Sequence, residues 1–438
     1  WKEVDSMASD PAKTRPARYA IGMFGTSIPI NMFRTYAAIY YVDKLGLSTA
    51  QFSLVLLIYT FIDAADNLVY GYLSDRTRTK WGRRRPWMVI GAPLLGLALV
   101  AFYNPPSFLS GNSLFGYFLL TYILTGTLDS LVGANYGALF PDLFQGDAER
   151  AVTNAMRQAF MLVAMIISIA LTPMVTSKIG YPATALVYGI LGVSVILYSV
   201  LGCHENPLYM ETERPRLWDS LKTLLRNKKF WMAGFANAFY SAALALVMSS
   251  IPFYTKYSLK IPDSQSTILF ASVLIIAIAA VAAWARLIKK FAVVPVWRAA
   301  LIVLAVGFIP VYFADSLLAA TLASGILGLG FGGFIVTMDL IGAKIIDEDS
   351  RKSGVRREAI YTSASGFMNR LNGLFTSLGF FLVFKIYGFK SGEVPGPNPG
   401  GAARFLLAAF PFVLVLFSCV FSRLLNFDSG KINKSQEV

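Results

Sequence analysis

Two carboxylates and a carboxamide lie at helical spacing inside an otherwise apolar segment. Residues 61–68 read FIDAADNL, and spacings of three and four residues put Asp63, Asp66 and Asn67 on one helix face. Two neighbouring carboxylates repel each other unless a proton or another cation binds between them. Oxygen clusters of this kind suit a proton or a hard monovalent cation such as Na⁺ or Li⁺. The spacing therefore predicts a monovalent cation site.

Three arginines, Arg34, Arg157 and Arg370, interrupt other apolar segments. A guanidinium donates two parallel hydrogen bonds to a carboxylate, a phosphate or vicinal hydroxyls, so these residues are candidates for substrate binding. The alternative is charge balance, in which the arginines form static ion pairs with three acids of the same segments, Asp63, Asp66 and Asp129. Asp129 can pair with Arg34 or with Arg157, and the sequence leaves these alternatives open.

The composition indicates that these charged side chains lie inside a membrane, where a charge is costly. A soluble chain of 438 residues would form about three domains. This chain is 55% hydrophobic and only 15% charged, whereas soluble domains are about 25% charged. The apolar surplus must face lipid, and a charge inside a membrane span costs about 2.5–3.5 kcal/mol on insertion scales.

Several classes of protein are excluded or disfavoured by single residue types. Two cysteines rule out a disulfide framework, and one histidine, His204, disfavours a histidine metal site or a Ser-His triad. The sequence contains no GxxxxGK[ST], HExxH, GxSxG or paired CxxC motif. We therefore expect neither an enzyme nor a cofactor other than a coupling ion.

Apolar runs predict an all-α membrane protein, because a helix needs about 20 mostly apolar residues to cross the hydrocarbon core. Nine runs carry no charge in their central part and three are interrupted by charge. The twelve predicted spans are 19–42, 50–74, 86–104, 113–139, 152–176, 180–202, 230–254, 265–285, 297–314, 316–343, 359–388 and 402–425.

The polar segment 203–229 divides the spans into two six-helix bundles, 19–202 and 230–426, with tails at 1–18 and 427–438. With both termini in the cytoplasm, 29 of the 39 lysines and arginines fall in cytoplasmic segments and seven in outer ones. This asymmetry predicts a multi-pass protein of the cell membrane with both termini inside. It also accounts for the net charge of +14 without nucleic acid as a partner.

A basic turn, 75–87 (DRTRTKWGRRRPW), follows the second span. One interpretation is a positive anchor at the cytoplasmic surface. A sharper one is a conformational latch between the two bundles. The residues assigned to this latch are Gly71, Asp75, Arg76, Gly82, Arg83, Arg84 and Glu358.

The basic turn at 75–87 is similar to the turn after span two in the major facilitator superfamily. Within that superfamily it resembles the glycoside–pentoside–hexuronide:cation symporters, the melibiose permease group. The likeness extends over most of the chain. It includes YAIGMFG at 19–25, the pattern of Glu149, Arg150 and Arg157, and Arg356-Arg357-Glu358, which precedes Arg370 by twelve residues. The resemblance implies two bundles that rock around a central site and use a Na⁺, Li⁺ or H⁺ gradient to drive sugar uptake.

Residue by residue, the family's cation site matches Asp63, Asp66, Asn67 and Ser130, with the order of the second acid and the amide swapped. The family's span-five arginine matches Arg157, and its span-eleven lysine matches Arg370. The acids that bind galactosides in melibiose permease match Ser27 and Gly133, so a galactoside is not expected. The candidate substrate residues are Ser27, Arg34, Asp129, Gly133, Arg157 and Arg370.

Three arginines near one cavity would suit an anionic substrate, such as a hexuronide or another acidic glycoside. We expect a monomer that binds this small molecule and a monovalent cation. One alternative keeps the fold and moves a lysolipid or another organic anion. A further alternative is a membrane sensor with a transporter fold.

Overall fold

The structure is a computed structural model that describes residues 14–144, 147–205, 226–353 and 358–426, and within these ranges it contains helices and no strands. In chain order the helices are α1 (Pro16–Ala20), α2 (Gly22–Ala38), α3 (Thr49–Arg76), α4 (Arg85–Phe102), α5 (Gly111–Leu143), α6 (Asp147–Met165), α7 (Thr172–Leu201), α8 (Lys228–Phe253), α9 (Ser266–Phe291), α10 (Val293–Phe313), α11 (Leu317–Ser353), α12 (Glu358–Arg370), α13 (Asn372–Tyr387), α14 (Pro399–Arg404) and α15 (Phe410–Leu424).

Each of the twelve predicted spans corresponds to a helical segment, although several segments are interrupted. Short π-helical segments continue α2, α6, α8 and α14 at Ile39–Lys44, Ile166–Ala170, Tyr254–Leu259 and Phe405–Ala409. Spans five and six separate inside α7 at Gly180, whose φ of 78° breaks the helical backbone. Span eleven consists of α12 and α13, which meet at Leu371.

Among the described residues, nine helices are long and apolar enough to cross a bilayer. Spans one, two and eleven are outside that group. They contain Arg34, Asp63, Asp66 and Arg370. The three spans outside the group of nine thus carry four of the six charged candidate residues, while Asp129 and Arg157 lie in spans four and five, which are within it.

The amino-terminal half packs α2 and α4 against α7, and α3 and α4 against α5. The carboxyl-terminal half packs α9 and α10 against α11, and α8 against α15. The two halves meet mainly where α3 contacts α13. We call the end of the bundle that holds Thr14, the turn 77–84 and the start of α8 the basic end.

At the opposite end, contacts between the halves close the space that separates them. Asp43 accepts hydrogen bonds from Lys256 Nζ at 2.5 Å and from the Tyr257 hydroxyl. Lys44 pairs with Asp263 at 3.0 Å. Backbone hydrogen bonds add to this seal, from the amide of Thr49 to the carbonyl of Lys390 at 2.7 Å and from Gly392 to Val42 at 2.9 Å.

At the basic end, two described ion pairs each stay within one half. Arg83 pairs with Asp142 at 2.8 Å in the amino-terminal half, and Lys229 pairs with Glu348 at 2.7 Å in the carboxyl-terminal half. The chain is therefore held in an arrangement that is sealed between the halves at the end opposite the basic end.

The basic turn itself is fixed by a carboxylate. Glu205 accepts hydrogen bonds from the backbone amides of Arg83, Arg84 and Arg85 at 2.8–3.0 Å, which caps the positive amino end of α4. Gly82 has a φ of +100°, and a Cβ there would overlap the Glu205 carboxylate. Glycine is thus required at this turn for both conformation and space.

Candidate functional site

Asp63, in the middle of α3, is the centre of a polar cluster that joins the two halves. Its Oδ1 accepts hydrogen bonds from Tyr59 Oη at 3.1 Å and from Ser130 Oγ at 3.0 Å. Arg370 Nη1 donates to the same oxygen and to the Asp63 carbonyl at 2.5 Å. A guanidinium from the carboxyl-terminal half thus neutralises a carboxylate of the amino-terminal half inside the spans.

Glycines let the helices around this cluster approach closely. A Cβ at Gly126 of α5 would overlap the Tyr59 ring, and a Cβ at Gly373 of α13 would overlap the Thr60 hydroxyl. Only a residue without a side chain allows α3 to pack this tightly against α5 on one side and α13 on the other. The position of the Tyr59 hydroxyl near Asp63 follows from that packing.

Asp66 lies one turn further along α3 in different surroundings. Its Oδ2 accepts one hydrogen bond, from Thr127 Oγ1 at 2.8 Å. In the part of the chain that the structure describes, no basic side chain pairs with Asp66. The helices α3 and α5 run antiparallel. Asp63 therefore contacts Ser130, and Asp66, three residues later on α3, contacts Thr127, three residues earlier on α5.

The predicted cation site is therefore divided. Asp63 and Ser130 come together as expected, but Arg370 occupies the space beside them. For Asp63 this agrees with the static ion pair that the sequence left as an alternative. Asp66 has a hydroxyl partner, and the side chain of Asn67 lies outside the described residues.

Arg34 of α2 and Asp129 of α5 form a second ion pair, with 3.2 Å between Arg34 Nη2 and Asp129 Oδ2. The Arg34 side chain is 53% exposed and that of Asp129 17%. Arg34 also interacts electrostatically with Arg370 of the other half. Arg34 therefore lies beside the Asp63 cluster, with about half of its side chain exposed.

Two other candidate substrate residues lie along the same helices. Gly133 is exposed, one turn from Asp129 on α5, and a Cβ there would meet no atom within 4 Å. Gly137, one turn further, has the same open surroundings. Ser27 is buried on α2, two turns from Arg34 toward the basic end. The surface of α5 at Gly133 and Gly137, toward the basic end from Asp129, is thus open and not packed against other side chains.

The structure does not bring Arg157 to this cluster. Its guanidinium carbon lies 5.7, 5.3 and 5.0 Å from the ring centres of Tyr19, Tyr136 and Phe140. Tyr19 is 15 residues before Arg34, which is about 22 Å along a helix. Of the three arginines expected at one cavity, the structure brings Arg34 and Arg370 together, while the described contacts of Arg157 are with these rings. A direct substrate contact for Arg157 stays a prediction.

The described contacts of the proposed latch lie on the amino-terminal side. Arg83 pairs with Asp142, and Arg84 donates to Ser74. Arg76 is exposed in the last turn of α3, and Gly82 lies against Glu205. The surroundings of Gly71, Asp75 and Glu358 lie outside the described side chains, as do residues 354–357. A latch that spans both halves therefore stays a prediction.

Sequence reasoning missed Tyr59, Thr127 and Glu205. The first two had a signal, because Tyr59 precedes Asp63 by one turn and Thr127 precedes Ser130 by one turn. Glu205 had none, since its carboxylate reaches a turn 120 residues away.

Residues 18–429 match the family described as MFS/sugar transport protein. The chain belongs to this family. It is 25% identical over 366 residues to the isoprimeverose transporter of Lactiplantibacillus pentosus, and the aligned region covers 80% of this chain and 75% of that protein. It is 22% identical over 411 residues to the glucuronide carrier protein homolog of Escherichia coli K12, with 91% and 90% covered.

Two solved structures share the fold of this MFS protein. The nucleoside transporter NupG superposes with a TM-score of 0.68 at 13% identity, covering 94% of this chain and 99% of NupG. A bacterial homolog of the human lysosomal transporter Spinster, in an inward-facing, unoccupied conformation, gives 0.65 at 14% identity, with 94% and 97% covered. The predicted major facilitator fold and the predicted family of sugar symporters are thus confirmed.

Proposed function

We propose that this MFS protein is a proton-coupled symporter that carries an acidic sugar or glycoside through the cell membrane. The observation that carries the proposal is the half-exposed Arg34, which lies next to the ion pair of Asp63 with Arg370. Positive charge is thus available to a solute at the point where both halves meet.

The substrate class follows from the donors of Arg34. A guanidinium has five N–H groups, and the ion pair with Asp129 uses one oxygen at 3.2 Å. The remaining donors suit a carboxylate, which a planar guanidinium binds through two parallel hydrogen bonds. Gly133 and Gly137 leave room below for a sugar ring. The similarity to a protein named as a glucuronide carrier homolog supports the same class.

The coupling ion is argued from the contrast between the two acids of α3. Asp63 already has a positive partner in Arg370. Asp66 has the Thr127 hydroxyl, and a lone carboxylate inside a span is more stable when it carries a proton or another cation. A proton needs one carboxylate, whereas a Na⁺ ion needs several oxygen ligands. The described surroundings of Asp66 therefore favour the proton.

The ion pair between the halves supplies the connection to movement. Asp63 and Arg370 must separate before the halves can rock apart at that level. An anion bound at Arg34 lies close enough to Arg370 to compensate its charge while the pair is broken. An empty carrier lacks that compensation, so it should change conformation slowly.

The sidedness of the carrier is part of the proposal. The described turn 77–84 and the start of α8, which lie at the basic end, are rich in lysine and arginine, and positive segments stay on the cytoplasmic side. Both termini would then lie in the cytoplasm, and the sealed end of the structure would face outward.

Uptake into proteoliposomes tests the proposal. Radiolabelled methyl glucuronide should accumulate under an inward proton gradient with no Na⁺ present, and methyl glucoside should compete much more weakly. Arg34→Gln should reduce glucuronide uptake at least tenfold. The matched control Arg404→Gln, which breaks a pair with the 81% exposed Asp315, should leave it unchanged. Uptake that requires Na⁺ would overturn the choice of ion, and glucoside outcompeting the acid would overturn the substrate class.

A further inference from the structure

A cavity of about 320 Å³ lies within the carboxyl-terminal half, between α8, α11 and α12. Its polar lining includes Asn237, Asp339, Tyr361, Ser365 and Asn369, and its apolar lining includes Phe230 and Met338. The cavity has the size of a small ligand site, for which about 300 Å³ is the lower end of the usual range. It is separate from the ion pair of Arg34 with Asp129, which belongs to the other half.

The helix registers explain why these side chains converge. Ser365 and Asn369 are four residues apart on α12 and so share one face. Arg370 is rotated by about 100° from Asn369, which sends its guanidinium to Asp63 instead. One short stretch of α12 therefore serves both the contact between the halves and the cavity.

Asp339 is the unexplained charge of this cavity. It is exposed on α11 inside a membrane-spanning segment. Across the described ranges, no basic side chain or hydrogen-bond donor pairs with its carboxylate. Its carboxylate is thus free to accept hydrogen bonds from water or from a ligand that enters the cavity. Because it offers only acceptors, a ligand that binds to it must bring hydroxyl or ammonium groups.

The remaining lining favours hydroxyl groups. Asn237 Nδ2 donates to Asn369 Oδ1, a bond that uses one polar atom of each amide. The other amide atoms provide one acceptor and one donor, and Ser365 adds a hydroxyl that does both. A sugar ring presents hydroxyls that donate and accept, together with an apolar C–H face. Phe230 and Met338 suit that face.

We propose that this cavity is a second solute site that binds a neutral, monosaccharide-sized ring through Asp339, Asn237 and Asn369. The site lies toward the basic end from the central ion pairs and does not depend on Arg34. It stands independently of the acidic substrate proposed above, since its ligand is recognised through hydroxyls. An anionic group is repelled here by Asp339.

Protection of an introduced cysteine tests the site in the full chain, purified into nanodiscs. Ser365→Cys is made with Cys419→Ala. Cys203 can stay, because it is fully buried and burial raises the pKa of its thiol to about 12. The labelling rate with a soluble maleimide is measured alone and with the methyl pyranosides of glucose, galactose and xylose.

At least one pyranoside should slow labelling fivefold or more. Asp339→Asn should reduce that protection to less than twofold. Gly342→Leu should do the same without a change of charge, because Gly342 lines the cavity and a Cβ there meets no atom within 4 Å. Arg34→Gln should leave protection intact.

Three results would overturn the proposal outright. They are no labelling of the cysteine, no protection by any of the three sugars, and protection that survives both cavity variants. Protection lost in Arg34→Gln would also overturn it, by assigning the effect to the central site. The acidic-substrate proposal fails in a different experiment, if Arg34→Gln does not change glucuronide uptake into proteoliposomes.

Discussion

Two successive turns of α3 hold their carboxylates in different ways. The turn of Asp63 is closed, with Tyr59, Ser130 and the guanidinium of Arg370 on one oxygen. The turn of Asp66 has the Thr127 hydroxyl and no described basic partner. The first carboxylate thus connects the two halves, while the second interacts within the amino-terminal half.

This difference separates two tasks that a single cation site would combine. A carboxylate with a permanent positive partner has little to gain from a proton, and its ion pair instead resists separation of the halves. A carboxylate with a hydroxyl partner can gain or lose a proton while its surroundings keep their geometry. In the mechanism we propose, Asp63 has a structural and conformational role, and Asp66 is the candidate for binding the coupling ion.

The largest expected effect comes from breaking the pair at Asp63. Arg370→Gln leaves a buried carboxylate without its positive partner, which typically costs about 3–5 kcal/mol. We expect uptake to be lost and the melting temperature of the purified protein to fall clearly. The double variant Asp63→Asn with Arg370→Gln removes both charges and should recover most of the stability. Thermal unfolding followed by tryptophan fluorescence measures both.

The control for that prediction is an exposed ion pair broken in the same way. Arg404 pairs with Asp315, whose side chain is 81% exposed, and such surface pairs contribute at most about 1 kcal/mol. Arg404→Gln should therefore change the melting temperature little. An equal effect of both arginine variants, or a double variant as unstable as Arg370→Gln, would show that the Asp63 pair is not a buried unit.

The second prediction concerns Asp66→Asn. It removes the proposed proton site but breaks no ion pair among the described residues, so stability should change by less than about 1 kcal/mol. Accumulation driven by a proton gradient should fall at least tenfold, while exchange of labelled for unlabelled substrate at equal pH should continue. Asp315→Asn is the matched control and should leave both activities unchanged. Full accumulation by Asp66→Asn would assign coupling to another group.

The fold was largely predictable, because it depends on the length and placement of apolar runs. The break between spans three and four falls between Phe102 and Gly111, and the split between spans five and six falls at Gly180, both close to the predicted span bounds. The π-helical segments were not predictable. Ile39–Lys44 and Tyr254–Leu259 carry no local signal, and they matter because they position Asp43 and Tyr257 for contact across the sealed end.

The candidate site was predictable only in part. Helical spacing brought Asp63 and Asp66 onto one helix, but it does not say which of them meets an arginine from the other half. That depends on how closely α13 approaches α3, which Gly373 permits. Arg157 was grouped with Arg34 because both are charges inside spans. Their separation reflects depth along the bundle, which residue type alone does not encode.

The smallest expected effects come from removing the hydroxyls of Ser130 and Thr127. These variants test most directly whether Asp63 and Asp66 have different roles. Ser130→Ala removes one of three partners from an oxygen that keeps Tyr59 and Arg370, so uptake should stay within twofold with the same pH profile. Thr127→Val removes the described donor to Asp66, a hydrogen bond worth about 1.5 kcal/mol to a charged acceptor. Because Asp66 is the proposed proton site, the pH profile of uptake should shift in this variant and not in Ser130→Ala. Shifts of equal size in both variants would mean that the two turns of α3 titrate together and that Asp63 shares the coupling role.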